Sequence, residues 1–563
     1  MDIRSRENDK DRTPPSLSYF CIYNPTLGTS EETSKDQLLY YAARKAVPLD
    51  AKLKQVGLAQ ALVNFTRVFS QNKPCENVHT QKNRLVFLEA EPGFWIHMCI
   101  ELGQMKKQGK DSSGKPKVNI EYLDHELQDV TIRAALEQAY QIYKLFNGSF
   151  ESTIRKQSIK HLQHRLEDFF GEWIWKWDFD SLDTHTALDG IFYQPLSRNT
   201  HNLLSLLFDD LQREFAMFST FMVLSADDAL VFSGLKDVCD SRNLWHHVTE
   251  LTCERRKQET AQRSKKTSQV STLRSITKTF SSSNLFGSYW YSAPALSSSS
   301  SSPTPESSPA PPTLNPPVKP DSAPPAVTSS LADPLIPSES PPERHGYYLV
   351  GPKVMDARKK KIGLTRVYLA GEIDETEALT GGFGTKVNNE MEHFLIVYGF
   401  KSQVTLAFLI PCGASGASEQ LSSPEFYHRL DSYLGPRLLD IVAATTEDSE
   451  RVRKMCAKPD REYRYILFNR INLGIRSSIG GSKHGTVNAE MVSCINRVKA
   501  DLEVYGDLNE VYVRTSSSFY VAGRRTEDRE VYIVVPRKDA SLVDVEEDMR
   551  KVCSYVFMGT FLD

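Results

Sequence analysis

The 563-residue sequence holds no apolar run of the roughly 18–20 residues that a membrane-spanning helix needs. Its opening stretch, MDIRSRENDKDRTPP, has no apolar core of the kind that drives secretion, so a cytosolic chain is expected. Formal net charge is only -3, which provides no global attraction to nucleic acid or to membrane. Nine cysteines stand at 21, 75, 99, 239, 253, 412, 456, 494 and 553, none in a C-x-x-C pair. That scatter argues against a zinc ribbon and against a disulfide framework.

Catalytic signatures are missing too. GGFGTK (381–386) lacks the spacing of a phosphate-binding loop and opens no clear helix. GASGAS (413–418) is a nucleophile elbow only in composition. His125-Glu126 has no second histidine four residues after the first, and His246-His247 would point in different directions on a helix. The expectation is a protein without covalent chemistry, cofactor or metal, acting as a binding scaffold.

What is present is alternation. LSYFCIYN (17–24) and DQLLYYAA (36–43) read as strands, and VGLAQALVNFTRVFS (56–70) as a helix. Its Val56, Leu58, Ala59, Leu62, Val63, Phe65, Val68 and Phe69 are expected mainly on one face. VHTQKN, RLVFLEA and FWIHMCIEL (94–102) follow as strands, then a Gly/Lys-rich loop at 103–117 and helices over about 124–147 and 157–175. Sequential strands joined by short turns predict an antiparallel sheet covered by helices.

A related order returns twice. FAMFSTFMVLS (215–225) and ALVFSGL (229–235) suggest a hairpin, followed by a helix ending near Thr252. RVYLAG, MEHFLIVYGF and QVTLAFLIP supply strands, and 424–446 a helix. YRYILFNRI, a helix over about 485–505, the strands NEVYVRT, SFYVAGRR and REVYIVVPR, and a helix from about 540 to 557 close the chain. The fold class is therefore α+β, with a threefold array of sheet-and-helix units. Their bounds are 15–180, then 181–252 continued by 346–458, then 459–563.

Residues 253–345 interrupt the second unit. Between 294 and 342 stand 15 of the 29 prolines, among serine runs. Such a composition cannot bury enough apolar surface to offset its ordering entropy, and reads as a disordered insertion. Its start differs. From 254 to 280, eight basic residues, including Arg255, Arg256, Lys257, Lys265 and Lys266, stand against Glu254 and Glu259. Leu273, Ile276 and Phe280 follow near helical spacing, then Leu285, Phe286 and Trp290. A basic stretch leading into an aromatic, amphipathic one suits the interface of an anionic or phosphoinositide membrane.

Several separated stretches resemble the Ccz family of vacuolar fusion proteins. They are SYFCIYNPTLG, VGLAQALVNFTRVFS, YKLFNGSF (143–150), FYHRLDSYLGPRL (426–438), DREVYIVVPRKDASLVDVEED (528–548) and the final FLD. The most specific is NVHTQKNRLVFLEAEPGFWIHM (77–98), with HTQKNR followed by a Phe-Trp strand. Positions 103–120 and 372–390 depart from the family pattern, so contacts there do not carry over.

The resemblance implies three longin-type domains and an obligate heterodimer with a Mon-family subunit. It implies guanine-nucleotide exchange on the Rab GTPase of late endosomes and vacuoles, and in some lineages a third, propeller-bearing subunit. The exchange surface is expected on the first domain, at His79, Thr80, Gln81, Lys82, Asn83 and Arg84 and on the helix 56–70. An ordinary hairpin turn and an ordinary core-facing helix are the plainer readings of the same residues. A longin-domain coat or tethering adaptor without exchange activity is the competing function. It would bind a Rab equally well with and without nucleotide.

Overall fold

A computed structural model describes residues 12–28, 30, 32–70, 74–110, 116–180, 184–270, 345–351, 364–371, 390–479 and 489–558. The architecture is α+β: three sheets flanked by helices, antiparallel but for one short parallel pairing in the third, plus one small extra sheet.

The first domain contains β1 (Arg12–Thr13), β2 (Ser16–Tyr23), β3 (Leu38–Ala43), α1 (Leu49–Phe69), β4 (Asn77–His79), β5 (Asn83–Glu91) and β6 (Phe94–Glu101). It continues with β7 (Gln104–Lys110), β8 (Pro116–Tyr122), α2 (Asp129–Asn147), α3 (Phe150–Lys156) and α4 (Ile159–Trp173). Its main sheet runs β3-β2-β6-β5-β4. Successive side chains on a strand point to opposite faces, and both faces here are covered. Phe20, Ile22, Val86, Ile96 and Met98 pack with α2 and α4. Tyr19, Cys21, Phe87, Trp95 and Cys99 pack under α1. This is why β2 and β6 read as unbroken apolar runs. The segment 103–117, expected as a loop, is largely a hairpin: β7 pairs antiparallel with β8, and β1 adds a third strand. The lysines, glutamines and glycine of β7, QMKKQGK, hide the strand periodicity, and the alternation in β8 is confined to VNIEY.

The chain then forms α5 (Thr184–Leu188) and β9 (Ile191–Phe192) before entering the second sheet. β9 pairs in parallel with a strand of the third sheet, Gly474 opposite Ile191. The second domain has α6 (Arg198–Glu214), β10 (Thr220–Ser225), β11 (Leu230–Ser233) and α7 (Val238–Val270). After the interruption come β12 (Gly346–Val350), β13 (Arg366–Ala370), β14 (Glu390–Phe400), β15 (Val404–Pro411), α8 (Ala417–Gln420) and α9 (Pro424–Glu462). The sheet runs β11-β10-β15-β14-β12, with β13 also on β14. Strands from both sides of the interruption thus share one sheet. A buried carboxylate fixes the point of return: Asp431 accepts from the backbone N–H of His345 (3.0 Å) and Gly346 (2.9 Å) and from the Tyr398 hydroxyl (2.7 Å).

Two boundaries are corrected. The helix expected to stop near Thr252 continues to Val270, so the start of the 253–345 segment is helical. The helix expected over 424–446 runs on to Glu462, past Pro436. Helix α6 and strand β12 lie where no regular element is expected from the sequence.

The third domain holds β16 (Arg464–Asn469), β17 (Gly474–Ser477), α10 (Ala489–Val504), β18 (Glu510–Arg514), β19 (Tyr520–Thr526), β20 (Arg529–Val535) and α11 (Leu542–Met558). Its sheet, β18-β19-β20-β16-β17-β9, has α10 on one face and α11 on the other. No helix among the described residues is long and apolar enough to cross a membrane.

Candidate functional site

Six candidate residues, 79–84, occupy the turn between β4 and β5 and its flanks. Thr80 closes the turn: its hydroxyl donates to the Asn83 carbonyl (2.7 Å), and the Asn83 N–H donates back to that hydroxyl (2.9 Å). Gln81 and Lys82 are exposed at its tip. His79 is half-exposed, with Nε2 2.9 Å from Asp129 and Nδ1 3.5 Å from Asp124.

Arg84 behaves differently. Its side chain is 1% exposed, and the guanidinium binds Asp129 and, at 2.7 Å, Asp124. Beside this cation and His79, the Asp124 carboxyl is held below the usual carboxylate range, although partial burial opposes the shift. Arg84 is therefore an internal strut, tying β5 to the first turn of α2, and not a surface contact. Asp124 and Asp129 belong to this site and are missed by a motif search, since they lie 40 and 45 residues from Arg84. Asp129 has one sequence signal, its place in the first turn of α2, where an acidic side chain suits the positive end of the helix, while Asp124 lies in a short 3-10 turn before that helix. The surface left for a partner is Gln81, Lys82 and the outer edge of His79.

Helix α1 is the second candidate, and its apolar residues divide between two faces. Val56, Ala59 and Val63 are buried on the sheet. At about 100° per residue, Leu58, Phe65 and Phe69 fall about halfway round the helix from Val56. Phe65 is 65% exposed, Val68 79% and Phe69 73%, and the two phenylalanine rings lie 5.0 Å apart. The expected single core-facing stripe is thus corrected: Val56, Ala59 and Val63, with Leu62 beside them, pack on the sheet, while Leu58, Phe65, Val68 and Phe69 are left in solvent. Exposed apolar side chains grouped this way mark a protein or membrane contact.

The basic candidates are partly engaged within the fold. The Arg255 guanidinium lies 3.3 Å from the Tyr347 ring centroid and pairs with Glu259 at 2.8 Å. Arg256 pairs with Asp228 and reaches the Thr252 hydroxyl at 3.2 Å. These two arginines hold α7 to the second domain, so they are not free for an external surface. Lys257 is exposed on the same helix. Lys265 and Lys266 lie on its last turns. Leu273, Ile276, Phe280, Leu285, Phe286 and Trp290 lie outside the described residues.

Among the described residues no group of three His, Cys, Asp or Glu side chains could hold a metal ion. The described features are an exposed polar turn on an internal ion network and an open aromatic helix face, arranged about one sheet.

Comparison with known proteins agrees with this architecture. The family model of the first longin domain of INTU, CCZ1 and HPS4 matches residues 17–148. The model of Intu longin-like domain 3 matches residues 460–552. A vacuolar fusion protein CCZ1 homolog from Nematostella vectensis is 26% identical, over 98% of this chain and 98% of its own. The homolog from Xenopus tropicalis is also 26% identical, over 98% of each chain. That from Dictyostelium discoideum is 25% identical, over 97% of this chain and 98% of its own. Over nearly its whole length the chain is thus similar to the vacuolar fusion protein CCZ1 homologs, with longin-domain models matching at both ends.

Proposed function

We propose that this chain is the Ccz subunit of a heterodimeric guanine-nucleotide exchange factor, paired with a Mon-family subunit. Its substrate is the Rab GTPase of late endosomes and vacuoles, and its role is to support membrane fusion there, as the names of its relatives suggest. The observation that carries the reading is the open face of α1, where Leu58, Phe65, Val68 and Phe69 meet solvent. A folded domain gains nothing from two adjacent solvated phenylalanines unless a partner covers them.

Exchange makes or breaks no covalent bond in the nucleotide. It requires tighter binding to the nucleotide-free GTPase than to the loaded form, because only differential affinity moves that equilibrium. A turn and a helix face suffice for this. Peripheral attachment to an anionic or phosphoinositide membrane is assigned to the sequence after Arg256, and a propeller-bearing third subunit belongs to the same reading.

The test is co-purification of the full chain with a Mon-family subunit, comparing wild type with Phe65→Ser/Phe69→Ser. Buried aromatic anchors contribute about 2 kcal/mol or more each to an interface, so the double variant should lose the partner or the GTPase while remaining folded. A variant that keeps both contacts removes the α1 face from the reading.

A further inference from the structure

The hairpin β7–β8 is placed on no function by the family resemblance, yet it rises from the candidate site. The Leu102 N–H, just before β7, donates to the Lys82 carbonyl at 2.9 Å. The Leu123 N–H, just after β8, donates to the Gly103 carbonyl at 2.8 Å, and the next residue, Asp124, holds Arg84. The exposed turn at Lys82 and the base of the hairpin thus share one end of the first sheet.

Three features make this hairpin a docking element. First, β8 is the outermost strand of the order β1-β7-β8, so among the described residues no strand lies beside one row of its backbone N–H and C=O groups. Small sheets of this kind are marginal alone and gain from an added strand. Second, Val118 is 60% and Ile120 51% exposed, and they lie two apart on one strand, hence on one face. Lys106, also exposed, is in register with Ile120. On the opposite face Lys107 is neutralised by Glu121 at 2.5 Å. Third, residues 104–122 hold five lysines against Asp111 and Glu121, in a chain whose net charge is -3.

We propose that the outer edge of β8, with Lys106, Val118 and Ile120, is a docking edge for an acidic, extended segment of the GTPase itself. This rests on the exchange-factor reading and adds a specificity element to it. The segment adds a strand to β8, its acidic side chains meet Lys106 and Lys82, and an apolar side chain covers Val118 and Ile120. A lipid surface suits the charge but not the edge: unpaired backbone groups are not accepted by hydrocarbon, and two apolar side chains form a weak anchor.

The experiment uses the full chain bound to its Mon-family subunit and a soluble, lipid-free Rab loaded with fluorescent GDP. Lys106→Glu/Ile120→Thr keeps a β-branched residue on the strand, and Lys106→Arg is the conservative control. The double variant should lower kcat/KM for nucleotide release roughly tenfold, mostly through KM, with less difference at high salt. Lys106→Arg should match wild type. If wild type is active and the double variant equals it, the docking edge is refuted and the exchange-factor reading stands. The docking edge is equally refuted if the variant loses only binding to phosphatidylserine vesicles, which assigns the face to lipid, or only the Mon-family subunit. A wild-type complex that releases no nucleotide overturns the parent reading and this one with it.

Discussion

Replacing Arg84 by methionine separates a structural role from a contact role at the candidate turn. Methionine keeps most of the aliphatic stem but removes the guanidinium that joins β5 to Asp124 and Asp129. Breaking a fully buried ion pair by removing one partner costs about 3–5 kcal/mol. Here the carboxylates are not fully buried: Asp124 is 48% exposed and Asp129 34%. Both regain water when the cation leaves, and Asp129 keeps its favourable place in the first turn of α2. The expected loss is therefore at or below the lower end, about 2–3 kcal/mol. Because the chain has several domains, a single unfolding transition is a poor reporter. Hydrogen exchange should instead show reduced protection in β5 and at the start of α2. Lys82→Glu, at the exposed tip, should change stability by no more than about 0.5 kcal/mol while slowing nucleotide release. Unchanged protection in Arg84→Met together with slower release would refute the strut and make Arg84 a direct contact.

Three further outcomes follow from the structure. His97 is buried and neutral: its Nδ1–H donates to the Val86 carbonyl (3.0 Å), its Nε2 accepts from the Tyr19 hydroxyl (2.9 Å), and burial lowers its pKa to about 4. With an unfolded value near 6.5, no cost exists above that pH, and a cost of about 3 kcal/mol builds as pH falls from about 6.5 to 4; a first-domain stability profile flat over this window contradicts it. At Gly190 an added Cβ would lie 2.6 Å from Ile475 Cγ1 and 2.7 Å from the Leu473 carbonyl oxygen. Gly190→Ala should destabilise the β9–β17 junction by about 1–3 kcal/mol, seen as faster hydrogen exchange at Gly474–Ser477, and unchanged exchange there contradicts the close approach. Changing Ile276, Phe280, Leu285, Phe286 and Trp290 to serine in the Mon-bound complex should abolish flotation with anionic vesicles, and undiminished flotation rejects the anchor.

Much of the fold is legible in the sequence because its periodicities are strong. LSYFCIYN, FWIHMCIEL and REVYIVVPR each become a strand, since sheets covered on both faces require nearly continuous apolar residues. The β7–β8 hairpin is hidden for the opposite reason: β7, QMKKQGK, is almost wholly polar, so the short alternation VNIEY of β8 has no apolar partner strand to mark the pair. β9 escapes notice because two residues pairing with a strand 283 positions later leave no local signature. At the candidate site, residue identity alone places His79 to Arg84 together as one polar turn, yet burial divides Lys82 from Arg84. Only the fold brings Asp124 and Asp129 to that arginine. Helix α1 shows the same limit, because a run rich in apolar residues does not reveal which of them meet the sheet until the helix is docked.

The central claim is tested most directly by nucleotide release from a panel of soluble Rabs, using this chain alone and co-purified with a Mon-family subunit. The account predicts that the heterodimer accelerates release from the late-endosomal or vacuolar Rab, binds the nucleotide-free GTPase more tightly than the loaded one, and that the isolated chain is inactive. Equal affinity for both forms without accelerated release would contradict it and favour an adaptor; full activity of the isolated chain would contradict the heterodimer.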